Sequence, residues 1–275
     1  MGQVSRTVVR AIGSDGADSP DGSIAAGAAQ GYTPGMEDRT NEQFVDVDFT
    51  GSRFRGVIFS GVTISDAWLA DVDISGMVAG VSINGIDVTG YVDAELDRRH
   101  PERRLLAPDD PPGARLAWQT VEELSSATVE RARALPPAAL DEAVEGEWSF
   151  LETLRHLVFA TDRWISGPVL GDPDPFHRLG RPNDPLDEIP AGMLDLDARP
   201  ALDEVLAVRR DRMDRVRAFV HGVDAKGLER EVRSPNGGAT TVLRCLHVVL
   251  REEWWHDQYA NRDLAILEGR PPSAG

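Results

Sequence analysis

Large apolar residues recur along this chain with two different periods, and the change of period divides it. From Phe44 the spacing is five: Phe44, Phe49, Phe54, Phe59, Ile64, Leu69 and Ile74. A small or β-branched residue stands two places before most of them, as Val47, Ser52, Val57, Val62, Ala67 and Val72 do, and Gly51, Gly56, Gly61 and Gly76 follow by two. A strict five fits neither the 3.6-residue helix nor the two-residue strand repeat. A short fixed repeat predicts a solenoid whose turns stack their inward side chains. Beyond Pro112 the period becomes helical. The first helix is predicted over 113–135, with Leu116, Val121, Leu124, Ala127 and Ala132 inward and Pro136-Pro137 as its stop. The second covers 149–166 and ends at Gly167-Pro168, and the third covers 201–220. The fourth opens after Gly237-Gly238, with Thr240 or Thr241 as N-cap. Four helices with long connections predict a four-helix bundle. The connection 169–200, dense in Pro, Gly and Asp, has a length usually tied to function or motion.

The remaining stretches set the domain plan. Residues 1–43 lack apolar periodicity and are expected to be a flexible tail. Residues 44–92 form the repeat segment, the charged and proline-rich 93–111 a linker with one helical turn and a solvated His100, and 112–270 the bundle. The fold class expected is therefore multi-domain, a short β-solenoid followed by an all-α bundle.

Composition narrows the function classes. A net charge of −17 argues against binding nucleic acid through its phosphates, which needs a basic surface. No apolar run approaches membrane-spanning length and no secretory h-region opens the chain, so a cytoplasmic location without membrane contact is expected. The single cysteine, Cys245, lies mid-helix beside Leu246 and reads as a small buried hydrophobe.

Candidate chemistry gathers on the fourth helix. Val242, Leu246, Val249, Ala260, Leu264 and Leu267 fall on one stripe, and Glu253 and Asp257 land on the same stripe, with His256 on its flank and Glu252 just beyond. Burying unpaired charge is costly, so such a cluster is unexpected in a helix meant only for packing. Glu252 and His256, four apart, project in one direction and can share a divalent ion; solvated charges at a helix end are the alternative. On the second helix, His156 is either a third ligand or a surface histidine near Glu152, because the wheel places it opposite the stripe of Leu154 and Val158.

Trp148-x7-His156-Leu157, followed by His247-x4-Glu252-x3-His256, resembles the DinB-like superfamily over about 112–269, and most closely its branch with mycothiol-dependent maleylpyruvate isomerase. The resemblance implies a four-helix bundle holding a divalent metal, zinc or nickel, on His156, Glu252 and His256. It also implies a metal-dependent S-transferase or isomerase that joins a low-molecular-weight thiol such as mycothiol to a small electrophile. His247, nine residues from His256, points to the other side of the helix and stays outside the site. Within that reading Glu253 and Asp257 are candidates to orient His256 or to pair with arginines, and Arg163 and Arg262 to hold an anionic substrate. Val47-Asp-Phe-Thr-Gly, Val57-Ile-Phe-Ser-Gly and Val72-Asp-Ile-Ser-Gly resemble the pentapeptide-repeat family over about 44–89. That resemblance implies a right-handed quadrilateral β-helix, serving as a cap or as a module for a protein partner or self-association. Two further classes stay open: a non-catalytic scaffold with a structural metal, and an acidic repeat protein that mimics DNA.

Overall fold

A computed structural model describes residues 37–54, 56–76, 78–183, 189 and 192–269 and divides the chain into two compact units, Met1–Val81 and Ser82–Gly275. The expected tail, 1–43, lies outside the described residues as far as residue 36.

In the first unit the period of five belongs to the backbone. Asp46, Gly51, Gly56, Gly61, Asp66, Asp71 and Gly76 all have positive φ, between 53° and 133°, and each follows a large apolar position by two. The left-handed region is open to glycine and tolerated by aspartate, which accounts for the Asp residues where glycine is missing. The rings of Phe44, Phe49, Phe54 and Phe59 meet edge-on in sequence at 5.8, 5.6 and 5.7 Å. Among the described residues of this unit there is no strand, so the expected quadrilateral β-helix is not observed. The side chains at its period-five positions remain open, from 44% exposed at Phe49 to 71% at Ile74. The physical reason is length: the large apolar positions from Phe44 to Ile74 fill less than two turns of a four-sided coil, so no turn has neighbours on both sides to cover it.

The second unit begins with a hairpin. Strands β1 (Ser82–Ile83) and β2 (Ile86–Asp87) pair antiparallel around Asn84-Gly85, whose positive φ values of 51° and 79° suit a type I′ turn. The expected linker 93–111 is largely helical: α1 (Thr89–Arg99) leads into a 3₁₀ turn, Pro101–Leu106. Its charges pair with one another at the surface. Glu95 receives Arg98 and Arg99 at 2.7 and 2.8 Å, and Arg103 reaches Asp93 at 2.7 Å. His100 keeps part of its ring exposed and lies edge-on to Trp254, 5.5 Å between centroids.

The bundle is built from α2 (Pro111–Arg133), α3 (Phe150–Thr161) and α4 (Leu202–Gly222), then the short α5 (Ala225–Glu229), a hairpin of β3 (Glu231–Arg233) and β4 (Ala239–Thr241), and α6 (Val242–Leu267). Each long helix starts where its sequence allows. Asp110 accepts from the Gly113 N–H ahead of the Pro111-Pro112 start of α2, Ser149 and Glu152 form a capping box on α3, and Thr241 accepts from the Arg244 N–H on α6. The inward stripe of α2 is rotated from expectation: Ala114, Ala117, Trp118 and Val121 are buried while Leu116 is 47% exposed. Burying the indole of Trp118 removes far more apolar surface from water than burying Leu116 would, and this sets the rotation.

Two apolar clusters occupy the ends of the bundle. One contains Trp118, Val121, Ile165, Val216, Val220, Leu246 and Leu250, the other Ala132, Phe150, Leu154, Val205, Ala260 and Leu264. Along α3 and α4 the chain passes from the second cluster to the first, and along α2 and α6 the other way. The packed neighbours α3 and α4 are therefore parallel, and the long connection between them is the crossover that parallel packing requires. That segment returns over α3, which explains why His156 can be buried opposite its apolar stripe. Arg155, 1% exposed, donates to the carbonyls of Leu179 (2.9 Å) and Ala198 (2.7 Å), and also to that of Asp195. A short π turn, Asp162–Ser166, ends α3, and its buried Asp162 receives Arg212 of α4 at 2.9 Å and the His177 N–H at 2.9 Å. No helix among the described residues is long and apolar enough to cross a membrane.

Candidate metal centre

A polar layer separates the two apolar clusters at mid-height. On its inner side Arg209 of α4 holds Glu253 of α6 with two bonds, Nη1 to Oε1 at 2.7 Å and Nη2 to Oε2 at 2.8 Å, and both side chains are 2–3% exposed. Asp257 takes the hydroxyl of Thr128 at 2.5 Å and the amide of Asn261 at 3.1 Å. Burial pushes the Asp257 carboxyl above its ordinary range although those two donors oppose it. Neither Glu253 nor Asp257 bonds to His256: Glu253 takes the expected alternative of pairing with an arginine, and Asp257 bonds to Thr128 and Asn261 instead. The anchor Arg209 was readable in principle, since Val205, Arg209, Arg212 and Val216 share one face of α4 and an arginine inside an apolar stripe calls for a buried partner.

The other side of the layer brings His156, Glu252 and His256 together. His156 Nε2 lies 3.3 Å from Glu252 Oε2, the imidazole centroids are 4.6 Å apart, and the three groups offer one ligand atom each within 4.8 Å of one another. Each imidazole is oriented by a main-chain carbonyl, which can only accept: His156 Nδ1 meets the Arg181 carbonyl at 2.9 Å, and His256 Nδ1 the Glu252 carbonyl at 2.8 Å. A proton therefore belongs on Nδ1 in both rings, which leaves Nε2 as the nitrogen available to a metal. Ligating histidines are commonly held in this way.

That tautomer creates a conflict that a cation removes. In the neutral ring the Nε2 lone pair of His156 and the Glu252 oxygen 3.3 Å away are two acceptors, which a shared cation or a second ring proton must bridge. Two ligands at bond lengths of about 2.0–2.1 Å in tetrahedral geometry are separated by about 3.4 Å, so the spacing fits a shared divalent ion. Burial, reinforced by the neighbouring His156, pushes His256 down to about 4, which leaves its ring neutral at pH 7. Burial opposes the charge on Glu252, but His156, His256 and Arg251 outweigh it and keep the carboxyl below its ordinary range.

These shifts have a consequence for stability. Between about pH 4 and 6.5 His256 is neutral when folded and protonated when unfolded, so the unfolded chain binds more protons and stability falls as pH drops. Glu252 extends the loss below the ordinary carboxylate range, since its folded pKa is also depressed. Metal-free protein is expected to lose roughly 3 kcal/mol between pH 7 and pH 4 relative to His256→Gln, measured by urea unfolding. Parallel pH profiles for the two proteins would contradict this.

Aromatic rings enclose the cluster. The Trp148 ring lies 4.9 Å from His156 and stacks on His256 at 6.4 Å, Arg181 caps Trp148 at 5.7 Å, and Tyr259 meets His256 edge-on at 5.9 Å. Arg181, on the crossover, was not legible as a site residue, because its contribution to His156 is a carbonyl that every residue possesses. The arginines expected to hold an anionic substrate are engaged elsewhere. Arg262 pairs with Glu147 at 2.6 Å and Asp263 at 2.8 Å, and Arg163 donates to the Pro235 carbonyl and to Asn236 at 3.3 and 3.2 Å. His247 binds the Pro108 carbonyl at 2.6 Å, away from the cluster.

Comparison with known protein families matches residues 120–260 to the DinB superfamily, just over half of the chain, including all three members of the cluster. The chain belongs to the DinB superfamily. The match runs from within α2 to within α6, so the DinB region is the helical bundle itself, and the superfamily is a metal-binding one. No curated protein and no solved structure matches the chain.

Proposed function

We propose that this DinB protein is a divalent-metal-dependent enzyme that uses His156, Glu252 and His256 as ligands, and that it transfers or isomerises through a low-molecular-weight thiol of the mycothiol type. The observation that carries the metal reading is the pair of imidazoles whose Nδ1–H groups are both taken by carbonyls while Nε2 of His156 faces a carboxylate at 3.3 Å. Zinc or nickel suits a set of two imidazoles and one carboxylate. A divalent ion there supplies Lewis acidity, which lets a thiol that meets it lose its proton at neutral pH. Three protein ligands leave positions open, as catalytic sites do and structural ones do not.

The chain's own residues do the rest. The Arg181 and Glu252 carbonyls hold the two rings in a ligating tautomer, Trp148 and Tyr259 shield the cluster from water, and the Arg209–Glu253 clamp fixes α6 at the turn that carries Glu252. In the transfer the thiol sulfur forms a bond to an activated carbon of the electrophile, whose leaving group or conjugated acceptor takes the displaced electron pair. Cys245 is not the nucleophile: it is fully buried, and burial pushes its thiol up to about 11.

Zinc- or nickel-loaded protein is expected to consume a small thiol together with an electrophile. Chelation should stop the reaction, and Cys245→Ser should leave the rate within about twofold of wild type. Loaded protein that neither binds mycothiol or bacillithiol by calorimetry nor consumes any thiol–electrophile pair favours the scaffold reading. For the repeat segment we infer a pentapeptide-type module for docking or self-association, supported by its five-residue turns and open apolar side chains.

A further inference from the structure

Arginine dominates the basic residues of this chain, and those around the polar layer are consumed by the fold. Arg155 is held by three carbonyls, Arg181 by Glu152 and the Leu196 carbonyl, Arg209 by Glu253, and Arg262 by Glu147 and Asp263. Arg251 is different. It precedes Glu252 on α6 and is half-buried, and among the described residues its guanidinium has neither a hydrogen bond nor an ion pair. The opposite charge it senses is Glu252, beyond ion-pair distance, and Arg244 on the same helix adds a like charge.

A guanidinium offers five N–H donors in a planar fork, and those of Arg251 meet no protein acceptor among the described residues, so they are open to a ligand. Its one electrostatic counterweight is also the carboxylate of the candidate centre. A divalent ion on Glu252 turns that carboxylate into a net positive neighbour, so Arg251 then faces a cation instead of an anion. The charge that balances both is an anion brought by the substrate. The geometry of α6 supports this. Glu252 and His256 form one row at four-residue spacing, and Arg251, Trp255 and Tyr259 form the adjacent row. Trp255 and Tyr259 stack with centroids 5.9 Å apart, and Tyr259 meets His256 at the same distance.

We propose that Arg251 is the substrate-recognition residue of this centre, and that the substrate or thiol it selects carries a carboxylate at one end and a flat or apolar body that lies along Trp255 and Tyr259. The planar fork matches a carboxylate with two parallel bonds, whereas lysine in its place offers a point charge. The proposal rests on the metal-dependent reading above, and its test separates the two.

Zinc-loaded wild type, Arg251→Gln and Arg251→Lys are titrated by calorimetry with 3-mercaptopropionate and with its neutral counterpart 3-mercapto-1-propanol, and zinc per chain is measured for each protein. Wild type is expected to bind the carboxylate at least about tenfold more tightly than the alcohol. Arg251→Gln should lose that preference while keeping its zinc and its affinity for the alcohol, and Arg251→Lys should recover part of it. Zinc-loaded wild type that binds the two thiols equally, or binds neither, overturns the proposal, as does Arg251→Gln with the preference intact. Wild type that takes up no zinc removes the metal reading and the proposal together.

Discussion

Arg209→Ala is expected to destabilise the protein by about 3–5 kcal/mol, enough to threaten a fold whose total stability is on the order of 5–15 kcal/mol. The substitution leaves Glu253, 4% exposed, as an unpaired carboxylate in the middle of the bundle. Arg209 and Glu253 sit on α4 and α6, which face each other across the bundle while α2 and α3 fill the other two corners, so no solvent route relieves the charge. The cost comes from the charge left behind rather than from the worth of the pair. For that reason the double replacement Arg209→Met with Glu253→Leu, which removes both charges and keeps the volume, should regain most of the loss. Urea unfolding of the two variants decides the matter, and an Arg209→Ala protein within about 1 kcal/mol of wild type would show that the layer relaxes or takes in water.

Much of the bundle was legible because helical period, proline stops and caps agree with one another along 111–267. The Thr241 cap and the stops at Pro136 and Gly167 fall where the side chains' hydrogen bonding and backbone limits put them. Two kinds of information were not in the pattern. The wheel sees one helix at a time, so it placed His156 outside, whereas the crossover held by Arg155 buries both faces of α3. Charge density also misled: within the expected linker Arg103 pairs with Asp93 and Asp97, and Arg104 donates to the Asp97 carbonyl, which ties α1 to the turn that follows. In the repeat segment the five-residue turn was visible in the glycines, with aspartates standing in for them, but pairing between turns needs more length than the sequence supplies.

Glu252→Ala and His256→Ala are each expected to weaken zinc or nickel binding by at least about a hundredfold, more than loss of an outlying partner to a ligand causes. Fold loss should not accompany Glu252→Ala. The side chain is 28% exposed and faces the rings of His156, at 3.3 Å, and His256, at 3.5 Å. Removing it also removes the facing of carboxylate and lone pair, so the metal-free variant should unfold at a urea concentration close to that of wild type. Calorimetric titration with zinc, alongside circular dichroism, separates the two effects. Variants that bind zinc as tightly as wild type would place the ion elsewhere or nowhere.

The most direct measurement is the metal content of the full chain purified without a histidine tag, then incubated with zinc or nickel and desalted. About one divalent ion per chain in wild type, falling close to zero in Glu252→Ala and in His156→Ala, is the result that His156, Glu252 and His256 predict. Equal, near-zero metal in wild type and variants would contradict it.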